Sequence, residues 1–337
     1  MQRIDELQEM VLRISPEPYV YLDEWLIHRL LTDMPLEYYR FVVRELTDIA
    51  IGHARLELPP KQVFSTPDSA ADFRVMPCVV HNTSGIRKTV KVVGTNIPQK
   101  IVPDQITVGK AFVIHPEENF ISHILEGCLL SSARTGICAA VAVELLSTSH
   151  NKITILGSGR VGYYSALYAA ILGGVTEICL ADTDYRRAEQ TAALLSRQIP
   201  TMRFNVTTNQ ELSATDVLVL ATTSTQPVCK PPGFNANLIV SVGADTDSQS
   251  ELDPSWAGIS DIFVDIKDSA RFGDLNAWQK TGLISAEALV DVFDVLCNRV
   301  PGLPTRPRIF VSTGSALFDN LTIGYLLDRF NNTPEHD

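Results

Sequence analysis

The sequence predicts an α/β protein in which a parallel sheet flanked by helices follows a smaller region of mixed α and β structure. From residue 151 onward, short β-branched runs alternate with longer helical segments, which is typical of parallel strands joined by helical crossovers. Before residue 116, similar runs are separated by Pro and Gly, which favours an antiparallel sheet. The length of 337 residues suits two domains, because a typical domain holds roughly 150 residues.

The N-terminal part is predicted to begin with two helices, because apolar residues recur there at intervals of three or four. Leu22, Leu26 and Leu30 form the first set, and the second runs from Phe41 to Ile49. The strands of the antiparallel sheet are then expected at Lys61–Phe64, Phe73–Val75, Thr89–Val93 and Ala111–Ile114.

A long apolar helix from Cys128 to Leu146 is expected at the domain junction, since it is rich in Ala and Leu and ends at a Ser/Thr cluster. One more helix, Ser315 to Phe330, is expected to pack on the N-terminal part. We therefore assign residues 1–130 and 305–337 to one domain and residues 131–304 to the other. The strands expected in the second domain are Ile153–Leu156, Ile178–Ala181, Phe204–Thr207, Val217–Leu220, Ile239–Val242 and Ile262–Asp265.

Charge and composition argue against several classes of partner. The formal net charge of -11 opposes a nucleic-acid surface, which needs clustered Lys and Arg against phosphates. The longest apolar run, Gly136 to Val143, is far shorter than the ~20 residues of a membrane-spanning helix. The N-terminus lacks the basic and then apolar order of a signal peptide. We therefore expect a cytoplasmic protein that binds small molecules, with neither nucleic acid nor membrane as a partner.

The six cysteines are scattered without a C-x-x-C pair, and the histidines do not stand at metal-ligand spacing. We interpret the cysteines as buried thiols and expect no metal site. The sequence also lacks H-E-x-x-H and G-x-S-x-G, so metalloprotease and serine-hydrolase functions have no support from motifs.

A glycine-rich turn follows the first strand of the predicted parallel sheet, with the residues Gly157, Ser158, Gly159, Arg160, Val161 and Gly162. In such a turn the first glycine permits a tight bend, the second lets the backbone approach a pyrophosphate, and the third lets helix and strand pack closely. The following helix N-terminus offers free N–H groups to the anion. Because strand, turn, helix and second strand occur in order, the pattern predicts a Rossmann dinucleotide-binding domain.

Asp182 lies about 20 residues beyond the last glycine, where a carboxylate can accept from ribose hydroxyls. It would repel a 2′-phosphate, which favours NAD, whereas Arg186 and Arg187 keep NADP open. The structural alternative is an ordinary βαβ turn in which Asp182 caps the helix that begins near Tyr185.

Several further segments resemble those of the ornithine cyclodeaminase/μ-crystallin family over nearly the whole chain. They are Val75-Met76-Pro77, Val90-Lys91-Val92-Val93, the segment 130–136 around Arg134, Val242-Gly243-Ala244-Asp245 with Glu251-Leu252, and the segment 312–319. The resemblance implies a homodimer, with a central Rossmann domain and an α+β substrate-binding and dimerisation domain built from both chain ends. It also implies an activity on amino or imino acids, as in the cyclodeaminases, alanine dehydrogenases and imino-acid reductases of that family, or ligand binding, as in its crystallin.

By that resemblance, Lys91 and Arg134 hold the substrate carboxylate, and Lys91 is also catalytic. Asp245 would exchange a proton with the substrate nitrogen while a hydride moves between the α-carbon and the nicotinamide. The alternatives are a solvated strand residue for Lys91, a surface ion pair for Arg134 and a helix N-cap for Asp245. The resemblance also implies cofactor contacts, with loop capping as their alternative, for Thr222, Thr223, Ser224, Val242 and Ser312, and a substrate contact for Thr313.

The sequence departs from the cyclodeaminases at Arg74, where those enzymes have an acidic residue that receives the substrate ammonium. A guanidinium there repels an ammonium and attracts a carboxylate, and Lys61 replaces an early substrate-binding arginine. With Lys61, Arg74, Lys91 and Arg134 facing one pocket, we expect a dicarboxylic amino or imino acid. The alternative for Arg74 is a side chain pointing to solvent at a strand edge.

The leading interpretation is an NAD(P)-dependent oxidoreductase that acts on the carbon–nitrogen bond of an amino or imino acid. A cyclodeaminase, which removes and returns the same hydride without net redox change, is the enzymatic alternative. A non-catalytic binding protein like the crystallin is the alternative from another class.

Overall fold

The computed structural model describes residues 11, 14–65, 71–207, 215–231, 233, 236–298 and 306–332. Its helices confirm the two predicted at the N-terminus, the long junction helix and the C-terminal helix. Their bounds are α1 (Glu24–Thr32), α2 (Pro35–Ala50), α3 (Gly127–Leu146), α4 (Arg160–Ala169), α5 (Tyr185–Gln198), α6 (Gly273–Lys280), α7 (Val292–Leu296) and α8 (Ala316–Asn332).

The first sheet has the strands β1 (Val20–Leu22), β2 (Arg55–Glu57), β3 (Gln62–Ser65), β4 (Asp72–Asn82), β5 (Gly85–Thr95), β6 (Thr107–Ile114) and β7 (Ile121–Glu126). Their order is β1-β7-β6-β5-β4-β2, with β3 beside β4. Apart from the parallel pair of β1 and β7, the strands pair in the predicted antiparallel sense. Lys91 lies opposite Met76, and Arg74 opposite Val93, on the buried face of this sheet. Two cations are thus placed on the side that packs against the helices.

The second sheet is parallel, as predicted, and has the Rossmann strand order. Its strands are β8 (Lys152–Leu156), β9 (Glu177–Ala181), β10 (Arg203–Val206), β11 (Val217–Leu220), β12 (Leu238–Ser241), β13 (Asp261–Val264), β14 (Val290–Asp291) and β15 (Arg308–Val311). They lie in the order β10-β9-β8-β11-β12-β15-β13-β14. The order reverses between β8 and β11, and ligands of such sheets bind outside the carboxyl ends of the strands at this point.

The strand β15 is not predicted from the sequence, which places residues 305–337 in the first domain. β15 pairs with both β12 and β13, so it belongs to the parallel sheet. The chain leaves this sheet after Val311, and α8 then packs on α2, α3 and the strands β4 and β5. A domain boundary drawn by sheet membership therefore falls after Val311.

The sequence misses this strand because its apolar run is short. Three residues, Ile309, Phe310 and Val311, are too few for periodicity to separate a strand from another core segment.

The helix α3 connects the two sheets through its packing on α4, β6 and α8. Glu126 caps its start by accepting hydrogen bonds from the amides of Cys128 and Leu129, at 2.7 and 2.8 Å. By length and composition alone this helix could cross a bilayer, but 83% of its most apolar window is buried inside the protein, as in a core helix. Its first turns carry Ser131 and Arg134 to the junction of the two sheets.

Candidate active site

The turn between β8 and α4 has the shape of a phosphate cradle. Gly157 has a φ of +100°, and a Cβ there would collide with the carbonyl of Ala221. A Cβ on Gly162 would collide with the Gly157 carbonyl, so the helix packs directly on the turn. A Cβ on Gly159 would meet no atom within 4 Å, which leaves its backbone open to a ligand. The geometry at each glycine thus fits the role that the motif predicts, and contact with a pyrophosphate stays a prediction.

The helix α4 starts at this turn without a side-chain cap. Gly159 is its N-cap residue, and its first turn carries no acidic side chain. The first amides therefore keep the partial positive charge that binds an anion. A dinucleotide pyrophosphate fits these residues, with Gly157–Gly162 as its cradle. Val161 packs on the hydrophobic core, and Arg160 donates to the carbonyl of Asp104 at 2.7 Å, so neither side chain covers the open side of Gly159.

Asp182 lies beside the cradle at the end of β9. Its carboxylate accepts hydrogen bonds from the amides of Ser158 and Asp184, each at 2.8 Å. The alternative in which Asp182 caps the next helix is wrong, because Asp184 is the N-cap residue of α5 and accepts from the amide of Arg187. The side chain of Asp182 is 7% exposed, with Arg187 3.8 Å away.

The predicted cofactor residues at the ends of β11 and β12 are organised by one buried carboxylate, that of Glu251. Glu251 accepts from the amide and hydroxyl of Thr222 at 2.7 and 2.8 Å, from the Ser241 hydroxyl at 2.7 Å, and from the Gly243 amide at 3.0 Å. Burial raises the pKa of Glu251, while these hydrogen bonds lower it. Of the other predicted residues here, Thr223 is exposed, Ser224 donates to the Gln226 carbonyl, and Val242 is buried.

Ser312 and Thr313 lie at the carboxyl end of β15, a strand that the sequence does not predict, and are held by residues that follow β13. The Ser312 hydroxyl donates to Asp265 at 2.7 Å, and the Thr313 hydroxyl donates to the Ser269 carbonyl at 3.0 Å. Asp265 is fully buried, which raises its pKa, and it also accepts from the amide of Ile266. The side chains of Ser312 and Thr313 are therefore held by the protein, and their contacts with cofactor and substrate stay predictions.

Lys91 and Arg134 share one carboxylate, that of Asp319 in α8. The Lys91 ammonium lies 2.7 Å from Asp319 and 3.2 Å from the Ser131 hydroxyl, and the Arg134 Nε lies 3.0 Å from Asp319. Burial, partly offset by Asp319, lowers the pKa of Lys91 to about 8. The alternatives of a solvated strand residue and a surface ion pair are wrong, since Lys91 is 1% and Arg134 8% exposed. Lys91 uses two of its three N–H donors on Asp319 and Ser131, so the third is the donor left for a substrate.

The end of the Arg134 side chain remains available to a ligand. Its Nη1 and Nη2 have no hydrogen-bond partner among the residues that the structure describes. They lie beside Gly314, where a Cβ would be only 2.9 Å from Nη2. Gly314 has a φ of +83°, so glycine is required there both by the backbone and by the approach of the guanidinium.

Arg74 is buried, so the alternative in which it points to solvent is wrong. Its Nη1 lies 2.7 Å from Asp245, and its Nε and Nη2 lie 3.3 and 3.1 Å from Asp72. Asp72 is fixed in turn by the Thr95 hydroxyl at 2.7 Å. Two carboxylates thus neutralise the guanidinium. Burial raises the pKa of Asp245, but the charges of Arg74 and Lys61 together lower it by more. The net shift of this pKa is therefore downward.

Lys61 is a buried cation that no carboxylate pairs with among the described residues. Its ammonium donates to the Thr313 carbonyl at 2.8 Å and lies 3.8 Å from the centre of the Phe272 ring. Burial and the nearby charge of Arg74 lower the pKa of Lys61 to about 7.

The four predicted substrate cations act on one another electrostatically. Arg74 and Arg134 each lower the pKa of both Lys61 and Lys91. The structure therefore brings Lys61, Arg74, Lys91 and Arg134 to one place, where Asp245, Ser312 and Thr313 follow the ends of parallel strands. Gly157–Gly162 lies at the carboxyl end of the same sheet.

Three buried carboxylates contact predicted site residues without being predicted themselves: Glu251, Asp265 and Asp319. Glu251 and Asp319 stand inside segments that the sequence marks by resemblance, and Asp265 ends a predicted strand. Each accepts hydrogen bonds from, or pairs with, a predicted residue. Such carboxylates could be found in the sequence as single acidic residues within segments of apolar or small residues. A charge buried in such a segment needs partners, and these partners are candidates for the site.

Comparisons with known proteins give the family of the chain and its fold. The family model described as "Ornithine cyclodeaminase/mu-crystallin family" matches residues 31–333. The iminosuccinate reductase of Paracoccus denitrificans is 25% identical over 232 residues, which cover 66% of this chain and 70% of that protein.

Two solved structures have the same fold. The Thermococcus litoralis Δ1-pyrroline-2-carboxylate reductase, in complex with NADH and L-proline, superposes with a TM-score of 0.81 at 20% identity, over 92% of this chain and 97% of that one. An archaeal alanine dehydrogenase dimer with bound NAD superposes with a TM-score of 0.79 at 21% identity, over 94% and 98% of the two chains. The match of the family model over most of the sequence, together with this fold, shows that the chain belongs to the ornithine cyclodeaminase/mu-crystallin family.

Proposed function

We propose that the protein is an NAD-dependent oxidoreductase that reduces the C=N bond of an imino acid, or oxidises the corresponding amino acid. The observation that carries this proposal is the position of the Arg134 terminal nitrogens, which pair with no described residue, at the same sheet edge as the glycine cradle. A carboxylate bound by this guanidinium would hold the α-carbon near the strand ends that face a nicotinamide. The named imino-acid reductases among the relatives and solved structures support this substrate class.

The cofactor residues fit NAD through Gly157–Gly162 and Asp182. When bound there, NADH supplies the hydride that the imine carbon accepts. Asp182 favours NAD over NADP because a carboxylate repels a 2′-phosphate, and Arg187 is the residue that would have to offset this repulsion.

The chain's own residues orient the imino acid and move the proton. Arg134 binds the carboxylate next to the α-carbon, and Asp245, whose side chain is 39% exposed, is held in place by its pair with Arg74. In the reduction Asp245 would donate or relay a proton to the substrate nitrogen. Lys91, whose pKa is about 8, keeps positive charge behind Arg134 while Asp319 holds both cations in place.

We also propose a cytoplasmic homodimer. The first sheet has a second face, opposite the one that packs on the helices. Its apolar residues are half-buried and include Val75, Val90, Val92, Phe112 and Ile124. A second copy of the chain would cover this face. All six cysteines are free thiols, five of them buried, which fits a reducing compartment. Light scattering on the purified protein tests the dimer, and cell fractionation tests the location.

An assay of NADH absorbance tests the proposed reaction. The purified protein is mixed with NADH, ammonia and a 2-oxo acid, which together supply an imine, and NADPH is compared with NADH. Net oxidation of NADH that depends on both ammonia and oxo acid is the expected result. Ammonia release from ornithine without net change in NAD would instead indicate a cyclodeaminase.

A further inference from the structure

A cavity of about 620 Å³ lies between the segment 59–64 and the residues Arg271 and Phe272. Lys61 also lines a smaller cavity of about 210 Å³, together with Gly314. Because Gly314 contacts the end of Arg134, Lys61 stands between the place proposed for the substrate carboxylate and the larger cavity. We infer that the larger cavity is a second anion subsite, which receives a distal carboxylate on the substrate side chain.

This inference rests on the proposed function and names its substrate class: amino or imino acids with two carboxylates. Lys61 and Arg271 are the cations of the subsite, and the ring of Phe272 lies beside both. The Lys61 ammonium is 3.8 Å and the Arg271 guanidinium carbon 5.6 Å from the centre of this ring. Two cations near one aromatic ring suit an anion attached to a short alkyl chain.

The partners of the two cations leave them able to bind an anion. Lys61 is 7% exposed and has a carbonyl and a ring as partners, but no carboxylate within the described ranges. The Arg271 side chain is 54% exposed and uses Nη1 to pair with Asp268 at 2.8 Å. Its Nε and Nη2 make no hydrogen bond to any described residue. No acidic side chain lines this cavity among the described residues.

Arg74, from which the sequence suggests a dicarboxylate, does not have this freedom. Asp72 and Asp245 engage its Nη1, Nη2 and Nε, so a substrate carboxylate would have to displace one of them. Displacing Asp245 would disturb the group proposed to move the proton. The distal carboxylate is therefore assigned to Lys61 and Arg271, and Arg74 to holding Asp245.

Calorimetry with two unreactive acids of the same carbon length tests the subsite. Succinate and butyrate are titrated into the NAD-loaded protein, its Arg271→Gln variant and a control variant, Arg203→Gln. Arg203 lies on the edge strand β10 and is 71% exposed, outside the proposed site. We expect the wild type and Arg203→Gln to bind succinate at least about tenfold more tightly than butyrate, and Arg271→Gln to lose most of that preference.

The same variants are compared in the ratio of kcat/KM for the imines formed from oxaloacetate and from pyruvate. This ratio should fall about tenfold or more in Arg271→Gln and stay unchanged in Arg203→Gln. A wild type without preference for succinate, or an Arg271→Gln variant that keeps both ratios, overturns the subsite. A wild type that prefers succinate but oxidises NADH with neither imine would give a different result. The subsite would then stand, and the proposed function would be overturned.

Discussion

Arg74 of β4 and Asp245 of the loop after β12 form an ion pair with an Nη1–Oδ2 distance of 2.7 Å, which joins the two sheets across the candidate active site. The arginine side chain is 8% exposed and the aspartate 39%. A buried, doubly paired guanidinium thus holds a more accessible carboxylate. The position of the proposed proton-transfer group and its charge state both depend on this contact.

Substitution of Arg74 by Gln should move the pH profile. Because Arg74 lowers the pKa of Asp245, its loss raises that pKa. In the oxidation of the amino acid, where Asp245 accepts the proton as a carboxylate, the acidic limb of the kcat/KM profile should therefore shift to higher pH. The profiles of wild type and variant give the measurement. Arg55→Gln is the matched control, since Arg55 pairs with Glu57 on an exposed strand. A profile that does not move would separate Asp245 from the rate-determining proton transfer.

Substitution of Asp245 by Asn should lower kcat by roughly 10²- to 10⁴-fold, the usual effect of a positioned acid–base group. The amide keeps the size of the side chain but cannot exchange the proton. NADH binding, measured by calorimetry, should stay within about threefold of wild type, because Asp245 is not part of the cradle. Retained kcat in a correctly folded variant would contradict the assigned role.

The affinity for a carboxylate should fall as the pH rises above about 7. Lys61 binds an anion only when it is protonated. Burial and the charge of Arg74 lower the pKa of Lys61 to about 7, with a further lowering by Arg134. The carboxylates of Asp245 and Asp265 act in the opposite direction and raise this pKa. Succinate binding measured from pH 6 to 9 should therefore weaken in the wild type. In Lys61→Arg the charge persists, so the same titration should be flatter. An equal decline in both proteins would exclude Lys61 as the titrating group.

Substitution of Gly159 by Val should weaken NADH binding by about tenfold or more without unfolding the protein. The added side chain would enter the open side of the cradle, where its Cβ meets no protein atom within 4 Å. Gly173→Ala is the control, because a Cβ there also meets nothing within 4 Å but lies in a turn away from the cradle. Calorimetry and thermal melting are recorded for both. Unchanged NADH affinity in Gly159→Val would place the pyrophosphate elsewhere.

Local patterns explain which parts of this fold are predictable. The glycine turn, the crossover helices and the antiparallel strands follow from spacing within short segments, and all are found in the structure. The strand β15 is missed because its four residues hold too little periodicity, and its partners β12 and β13 are distant in sequence.

The site is predictable in its residues but not in its pairings. Lys91, Arg134 and Asp245 are found near one another, yet their ion-pair partners depend on long-range packing that no local spacing reveals. Asp319 lies 228 positions from Lys91 in the chain, and Asp245 lies 171 positions from Arg74. For this reason the sequence suggests a free Arg74, whereas the structure shows a neutralised one.

NADH oxidation in the presence of ammonia and a panel of 2-oxo acids is the decisive test of imino-acid reduction by this protein. We expect a loss of NADH absorbance that requires both ammonia and the oxo acid and that is absent in the Asp245→Asn variant. A correctly folded wild-type protein that neither binds NADH in calorimetry nor oxidises it with any member of the panel would show that the protein is not such a reductase.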